Sequence, residues 1–254
     1  MLDRRRLLLG SAALALSGCK VFDSASDSDS ALRKLFSSHE GLTRSAQRAL
    51  IGQSLAPEFS EADIRQGQRP NGSTDLDGAE YRRMAETGFR DYRLTIAGLV
   101  DAPQSLSLAE LTALPSRTQI TRHDCVEGWS CIAKWQGVPL GTVLKLAQPK
   151  LTARYAVFHC FDAIERSLSG EVFYYESIDL IDAFHPQTIL AYAMNGAPLP
   201  VANGAPLRLR VERQLGYKMA KFVHTIELTD SLAALGYGKG SYWADRGYEW
   251  YAGI

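Results

Sequence analysis

Apolar residues recur at Leu32, Leu35, Phe36, Leu42, Ala46, Ala49 and Leu50. That spacing predicts one or two amphipathic helices, broken near Gly41. The rhythm is lost over residues 56–77, where Pro57, Gly67, Pro70 and Gly72 punctuate a polar loop. A helix is expected over 76–86, stopped by Gly88. From residue 91 strand-type patterning takes over, and 91–98, 118–123, 155–161, 171–178, 188–194, 207–212 and 222–228 predict strands. Asn195-Gly196 marks a hairpin turn. Two short helices interrupt the strands. One follows the Ser107-x-x-Glu110 capping box and ends at Pro115. The other, 140–147, is headed by Pro139. Strands with short helices between them give an α+β class with mixed β-sheets. The tail after Gly236 is too rich in tyrosine and tryptophan for a free linker and is expected to pack back on the domain.

The first 30 residues follow other rules. Arg4-Arg5-Arg6 precede a short apolar run, 7–16, which is too short to span a bilayer and reads as an export signal. The arginines resemble a twin-arginine signal, and Leu16-Ser-Gly-Cys19 resembles a lipobox whose cysteine is lipidated. The polar run 23–30 is a flexible tether. The domain reading is therefore 1–30 signal and tether, 31–90 helical and loop segment, and 91–254 catalytic domain. The expected location is the periplasm, with Cys19 as anchor.

Composition narrows the function. Lys+Arg and Asp+Glu each number 28, so the chain lacks the basic excess of a nucleic-acid binder. Four cysteines are too few for a disulfide scaffold. The chemistry gathers at 122–140, where Cys125 ends a strand among His123, Asp124, Glu127, Trp129, Lys134 and Trp135. A polar setting favours thiolate, the form that binds metal or attacks substrate. Zinc would draw on His123, Cys125, Cys131, His159 and Cys160, but no close ligand pair is present. A disulfide from Cys125 to Cys131 or Cys160 would silence the thiol. A Cys/His nucleophile with His123 or His159 as base remains open. Asn203-Gly-Ala-Pro-Leu-Arg208-Leu-Arg210 then sets a turn before a strand expected to expose alternate arginines. With Gly216-Tyr217-Lys218 close by, this suits an anion, or else a hairpin with solvated charges. His185 beside Pro186, and His224 within a strand, read as structural.

Five stretches in order complete the picture: 91–99, 121–130 (Thr-Arg-His-Asp-Cys-Val-Glu-Gly-Trp-Ser), 175–188, 203–208 and 216–218. Together they resemble the molybdopterin-binding domain of the sulfite oxidase family, and most closely its periplasmic bacterial branch that reduces protein methionine sulfoxide. The resemblance implies that fold, a Mo-molybdopterin cofactor with one molybdenum per chain, and Cys125 as the only protein ligand to the metal. It further implies pterin contacts from Asn71, Asn203, Arg208, Gly216, Tyr217 and Lys218. Cys160 stands where that branch places a cofactor-contacting threonine. Glu127 and Trp129 border the ligand. The implied activity is oxygen-atom transfer by a monomer, with a small-molecule or peptidyl sulfoxide as substrate. The electron partner would be a separate, membrane-bound haem protein, since no C-x-x-C-H motif is present. Sulfite oxidation is the runner-up and would need cations such as Arg122, Lys134 and Arg213 to converge. A non-catalytic lipoprotein on the same fold is the third reading.

Overall fold

The computed structural model describes the backbone of residues 31–67, 69–168 and 170–254, and side chains from residue 41 onward except those of Gln68 and Ser169. The export signal, Cys19 and the tether lie outside the described residues. The chain divides into two compact units, Met1–Gly52 and Gln53–Ile254.

In the first unit, α1 (Ala31–Ile51) runs unbroken through Gly41. One glycine costs a helix about 1 kcal/mol and does not stop it where no proline follows. The Ser45 hydroxyl donates to the Gly41 carbonyl at 2.7 Å and keeps that turn closed.

The second unit carries two sheets. The first has the order β2 (Gln104–Ser107), β1 (Arg93–Gly98), β10 (Val223–Thr229), β5 (Tyr155–Ser167), β6 (Gly170–Asp179). β1 and β10 run parallel and the other pairs antiparallel, so the sheet is mixed. The second runs β3 (Arg117–Asp124), β4 (Ser130–Pro139), β7 (Ile189–Met194), β8 (Ala197–Pro198), with β9 (Arg208–Arg210) also on β7. Four short helices join them: α2 (Ala79–Glu86), α3 (Leu108–Ala113), α4 (Leu140–Ala147) and α5 (Leu180–Ala183). The α+β class with mixed sheets stands.

The core lies where Leu94 and Ile96 of β1, Phe158 of β5 and Ile226 of β10 meet Leu140 and Leu144 of α4, all fully buried. The expected capping box forms, with Ser107 Oγ accepting from the Glu110 N–H at 3.2 Å and Glu110 accepting from the Ser107 N–H at 2.7 Å. Asn195 and Gly196 both take positive φ, 52° and 81°, as a tight hairpin requires. Helix α2 begins three residues later than its apolar pattern predicts. Gly78 caps it, and Leu76 packs ahead of it with Tyr81 and Phe222. The tail does pack back: Ser241, Tyr242 and Ala244 are buried.

Further strands differ from expectation. Strands β2 and β4 have no counterpart in the hydrophobic pattern, and β4 lies between β3 and β7 in the second sheet. Its inward positions are Cys131, Ala133 and Trp135, and small residues hide the alternation. Strand β9 is shorter than the predicted 207–212, and its arginines are not exposed. Arg208 and Arg210, two residues apart, share a face and stack on buried Trp135, their guanidinium carbons 5.0 and 4.4 Å from the ring centroid.

Candidate active site

Cys125 sits in the tight turn joining β3 to β4. Its N–H donates to the Trp129 carbonyl at 2.9 Å, and its own carbonyl accepts from the Gly128 N–H at 3.0 Å. Burial pushes its thiol up, while N–H groups of Glu127 and Val126 directed at the sulfur pull the other way, Glu127's being the larger effect of the two. Backbone donors aimed at a sulfur favour thiolate once a cation is at hand. Trp129 Nε1 donates to Glu127 at 3.0 Å, Arg69 lies 5.7 Å from the Trp129 centroid, and Trp129 packs against His123. Cys125, Cys131 and Cys160 are all free thiols. Among the described residues no group of three or more His, Cys, Asp or Glu could hold a metal, so zinc has no site there.

Cys125 lines a cleft of ≈ 150 Å³ together with Val126 and Glu127. One end is polar, formed by Asn71, Gly72, Ser73, Asp162 and Lys221. Behind it lies a concentration of positive charge. Arg208 is fully buried and donates only to carbonyl or amide oxygens: Asn203 O at 2.9 Å, Asn71 Oδ1 and Met219 O at 3.5 Å. Among the described residues its Nε, and the neighbouring Asn203 Nδ2, have no hydrogen-bond partner. Lys221 donates to the carbonyls of Asn71 and Ala202, both within 2.8 Å, and of Ser73. Burial, reinforced by Arg208, pushes its ammonium down to about 7. Among the described residues neither cation forms an ion pair; Asp162 and Glu212 act on Lys221 and Arg208 without contacting them, and a buried charge so weakly compensated is costly. A phosphate-bearing ligand would supply the missing anion and acceptors, so these residues fit the pterin phosphate.

Behind Cys125, His123 is set by a buried chain. Gln119 Nε2 and Arg210 Nε both donate to Glu212 Oε1, at 2.9 and 2.8 Å, and Arg210 Nη1 donates to His123 Nδ1 at 2.9 Å. Burial, then Arg210, Arg208 and Lys221, hold His123 neutral. The accepting Nδ1 leaves the proton on Nε2, which has no partner. Gly216 is necessary here: a Cβ on it would lie 2.4 Å from His123 Cε1 and Nε2.

The cleft therefore collects Asn71, Cys125, Glu127 and Tyr217, with Asn203, Arg208 and Gly216 behind it and Trp129 at the turn. Two predicted contacts lie elsewhere. Cys160 is wholly buried in the core, where burial pushes its thiol well up. Lys218 points its ammonium into a buried ion pair with Glu176 and onto the Ser177 carbonyl, leaving only its backbone near the cleft. Sequence reasoning passed over Lys221, although it repeats Lys218 three residues on. Nothing local says which of the two ammoniums turns toward the anion site. Arg122, Lys134 and Arg213 do not converge, each being paired with its own carboxylate, Asp124, Glu61 and Asp182 respectively. His185 is buried in its turn with Nε2 3.3 Å from the Ser54 carbonyl, and His224 stacks on Phe161, both structural as expected.

Known proteins bear on this geometry. A family model described as "Oxidoreductase molybdopterin binding domain" matches residues 82–234. A putative protein-methionine-sulfoxide reductase subunit YedZ1 from Azospira oryzae is 36% identical over 98% of this chain and 86% of its own length. The protein-methionine-sulfoxide reductase catalytic subunit MsrP of Ralstonia nicotianae is 30% identical over 91% of this chain and 70% of that protein. MsrP of Xanthomonas axonopodis is 38% identical over 56% of this chain, which spans 46% of it. Among solved structures, the sulfane dehydrogenase SoxCD from Paracoccus pantotrophus superposes with a TM-score of 0.51 over 70% of this chain and 46% of its own. At 21% identity it speaks to the fold alone. With the match covering both sheets and most of the second unit, the chain belongs to the oxidoreductase molybdopterin-binding domain family, the sulfite oxidase family of molybdopterin-dependent oxidoreductases.

Proposed function

We propose that this chain is the catalytic part of a sulfoxide reductase, with the Cys125 thiolate as the single protein ligand to the molybdenum of one Mo-molybdopterin per chain. When bound, that cofactor supplies a two-electron centre able to take up the sulfoxide oxygen. The chain's own groups do the rest. Val126 and Glu127 N–H groups favour the thiolate. Asn71, Asn203, Arg208 and Lys221 hold the pterin phosphate, and the backbone of Gly216, Tyr217 and Lys218 runs beside it. Glu127 and Trp129 flank the thiolate at the mouth. Each sulfoxide takes two electrons and two protons and leaves as sulfide and water. Protons enter from solvent, and electrons come from a separate membrane-bound haem protein. We place the catalytic domain at 91–254 and the mature protein in the periplasm, anchored through Cys19.

The observation that carries this reading is the pair of buried cations, Arg208 and Lys221, that form no ion pair among the described residues and lie beside the cleft that Cys125 lines, the only carboxylate in its polar lining being Asp162, which Ser73 engages. The names of the Azospira and Ralstonia relatives favour sulfoxide as substrate. Sulfite oxidation is disfavoured because Arg122, Lys134 and Arg213 are already neutralised by carboxylates.

The test is elemental analysis of the exported protein, with turnover of methionine sulfoxide and of sulfite measured on the same preparation. One molybdenum per chain and two electrons consumed per sulfoxide are expected. Cys125→Ser should lose molybdenum and at least about 100-fold in turnover. Unchanged turnover in that variant removes the thiolate from the mechanism.

A further inference from the structure

The cleft has a second group of lining residues, besides the polar one, that the proposed function leaves unassigned. Ile164, Tyr174, Tyr217, Met219, Trp243 and Tyr248 form it. Two of the largest groups, Trp243 and Tyr248, come from the C-terminal tail. Their rings lie 5.1 Å apart, and Tyr248 meets Tyr217 edge-on at 5.3 Å, so three rings make one continuous corner. The tail is tied down where it does this. Tyr217 Oη donates to the Glu249 carbonyl at 2.8 Å, Leu215 N–H to the Ala252 carbonyl at 2.9 Å, and Trp250 Nε1 to Ser177 Oγ at 2.8 Å. Neither Trp243 Nε1 nor Tyr248 Oη has a protein hydrogen-bond partner among the described residues.

We infer that Tyr217, Trp243 and Tyr248 form a substrate subsite that receives the apolar substituent of an alkyl or aryl sulfoxide. This rests on the reductase reading above. Aromatic walls attract divalent sulfur and hydrocarbon, and the two unpartnered donors suit a polar S=O passing along the wall. A compact dianion such as sulfite gains little from such a surface. The tail is thus a specificity element held rigid against the rest of the second unit, which lowers the ordering cost of binding.

The experiment compares molybdenum-loaded wild type with Trp243→Ala, Tyr248→Ala and, as a control away from the cleft, Tyr237→Ala, whose ring is exposed. Reduced benzyl viologen supplies electrons, two molecules per sulfoxide. KM and kcat are read for methyl p-tolyl sulfoxide and for dimethyl sulfoxide. Molybdenum and pterin contents are measured on the same samples, and methyl p-tolyl sulfide binding is followed by calorimetry. The two cleft variants should raise KM for the aryl sulfoxide about tenfold and weaken sulfide binding equally. Dimethyl sulfoxide KM should move less than about threefold, with kcat and cofactor content held, and the control should match wild type. An equal KM change for both sulfoxides, no change, or a loss of pterin overturns the inference; loss of pterin would mean that the wall holds cofactor. A wild type that reduces no sulfoxide refutes the reductase reading instead, while the sulfide isotherms still decide whether the wall binds.

Discussion

Lys221 offers the sharpest test of the anion site. In the cofactor-free protein its ammonium is buried, bonded only to carbonyls, and pushed from the ordinary 10.5 down to about 7. Between those values the unfolded chain binds the proton and the folded chain does not. Stability must therefore rise with pH across that window, and the full penalty remains below pH 7. Each unit is worth at most about 1.4 kcal/mol, giving a ceiling near 5 kcal/mol. Some solvent reaches the ammonium, so about 2–3 kcal/mol is the expected gain from pH 7 to 10. Lys221→Met lacks the titrating group, so the difference between wild type and variant isolates this term. The assay is urea denaturation of both proteins, produced in a host that cannot make molybdopterin, at half-unit pH steps. Wild type should gain on the variant steadily above pH 7. In molybdenum-loaded protein the phosphate would keep Lys221 charged, and the gain should vanish. Parallel curves for the two cofactor-free proteins, or a gain that survives loading, would refute the claim that Lys221 awaits an anion.

Other outcomes follow from the same geometry. Gly216→Ala would drive a methyl group into the His123 ring, costing about 1–3 kcal/mol and reducing pterin retention, read by denaturation and by pterin fluorescence. Arg210→Leu strands Glu212 and frees His123, and should destabilise by about 3–5 kcal/mol in urea melts. A cost below about 1 kcal/mol would mean that the pair is not buried in solution. In cofactor-free protein burial raises the Cys125 thiol, so iodoacetamide labelling should accelerate at higher pH than for free cysteine under the same conditions, while loaded protein stays protected at every pH. Equal labelling of the two forms would leave the thiol outside the site.

Local pattern was enough wherever one short rule decides. The capping box at Ser107–Glu110, the Asn195-Gly196 hairpin and the strands β1, β5, β6 and β10 of the first sheet follow from side-chain chemistry within a few residues. The strand–Cys125–turn arrangement was legible too, as was the order of the five motifs that places the chain in its family. Tertiary structure decided the rest, because burial is a property of what packs above a residue. Strand β4 became central only when β3 and β7 closed on it, since Cys131 and Ala133 carry too little hydrophobic area to announce an inward face. Arg208 and Arg210 look solvated in a strand of alternating charge, but Trp135 arrives from another strand to cover both. Lys218 and Lys221 are chemically the same in sequence; Glu176 captures the first, while the second turns to the Asn71 carbonyl in the polar lining of the cleft, at the proposed anion site. The sequence by itself put Cys125 at the end of a strand and left Asn203–Lys218 open between an anion site and a solvated hairpin. Only the packing of a distant tail against Tyr217 brought Trp243 and Tyr248 into the cleft that Cys125 lines, because contacts between residues so far apart in the chain follow from topology and not from neighbouring side chains.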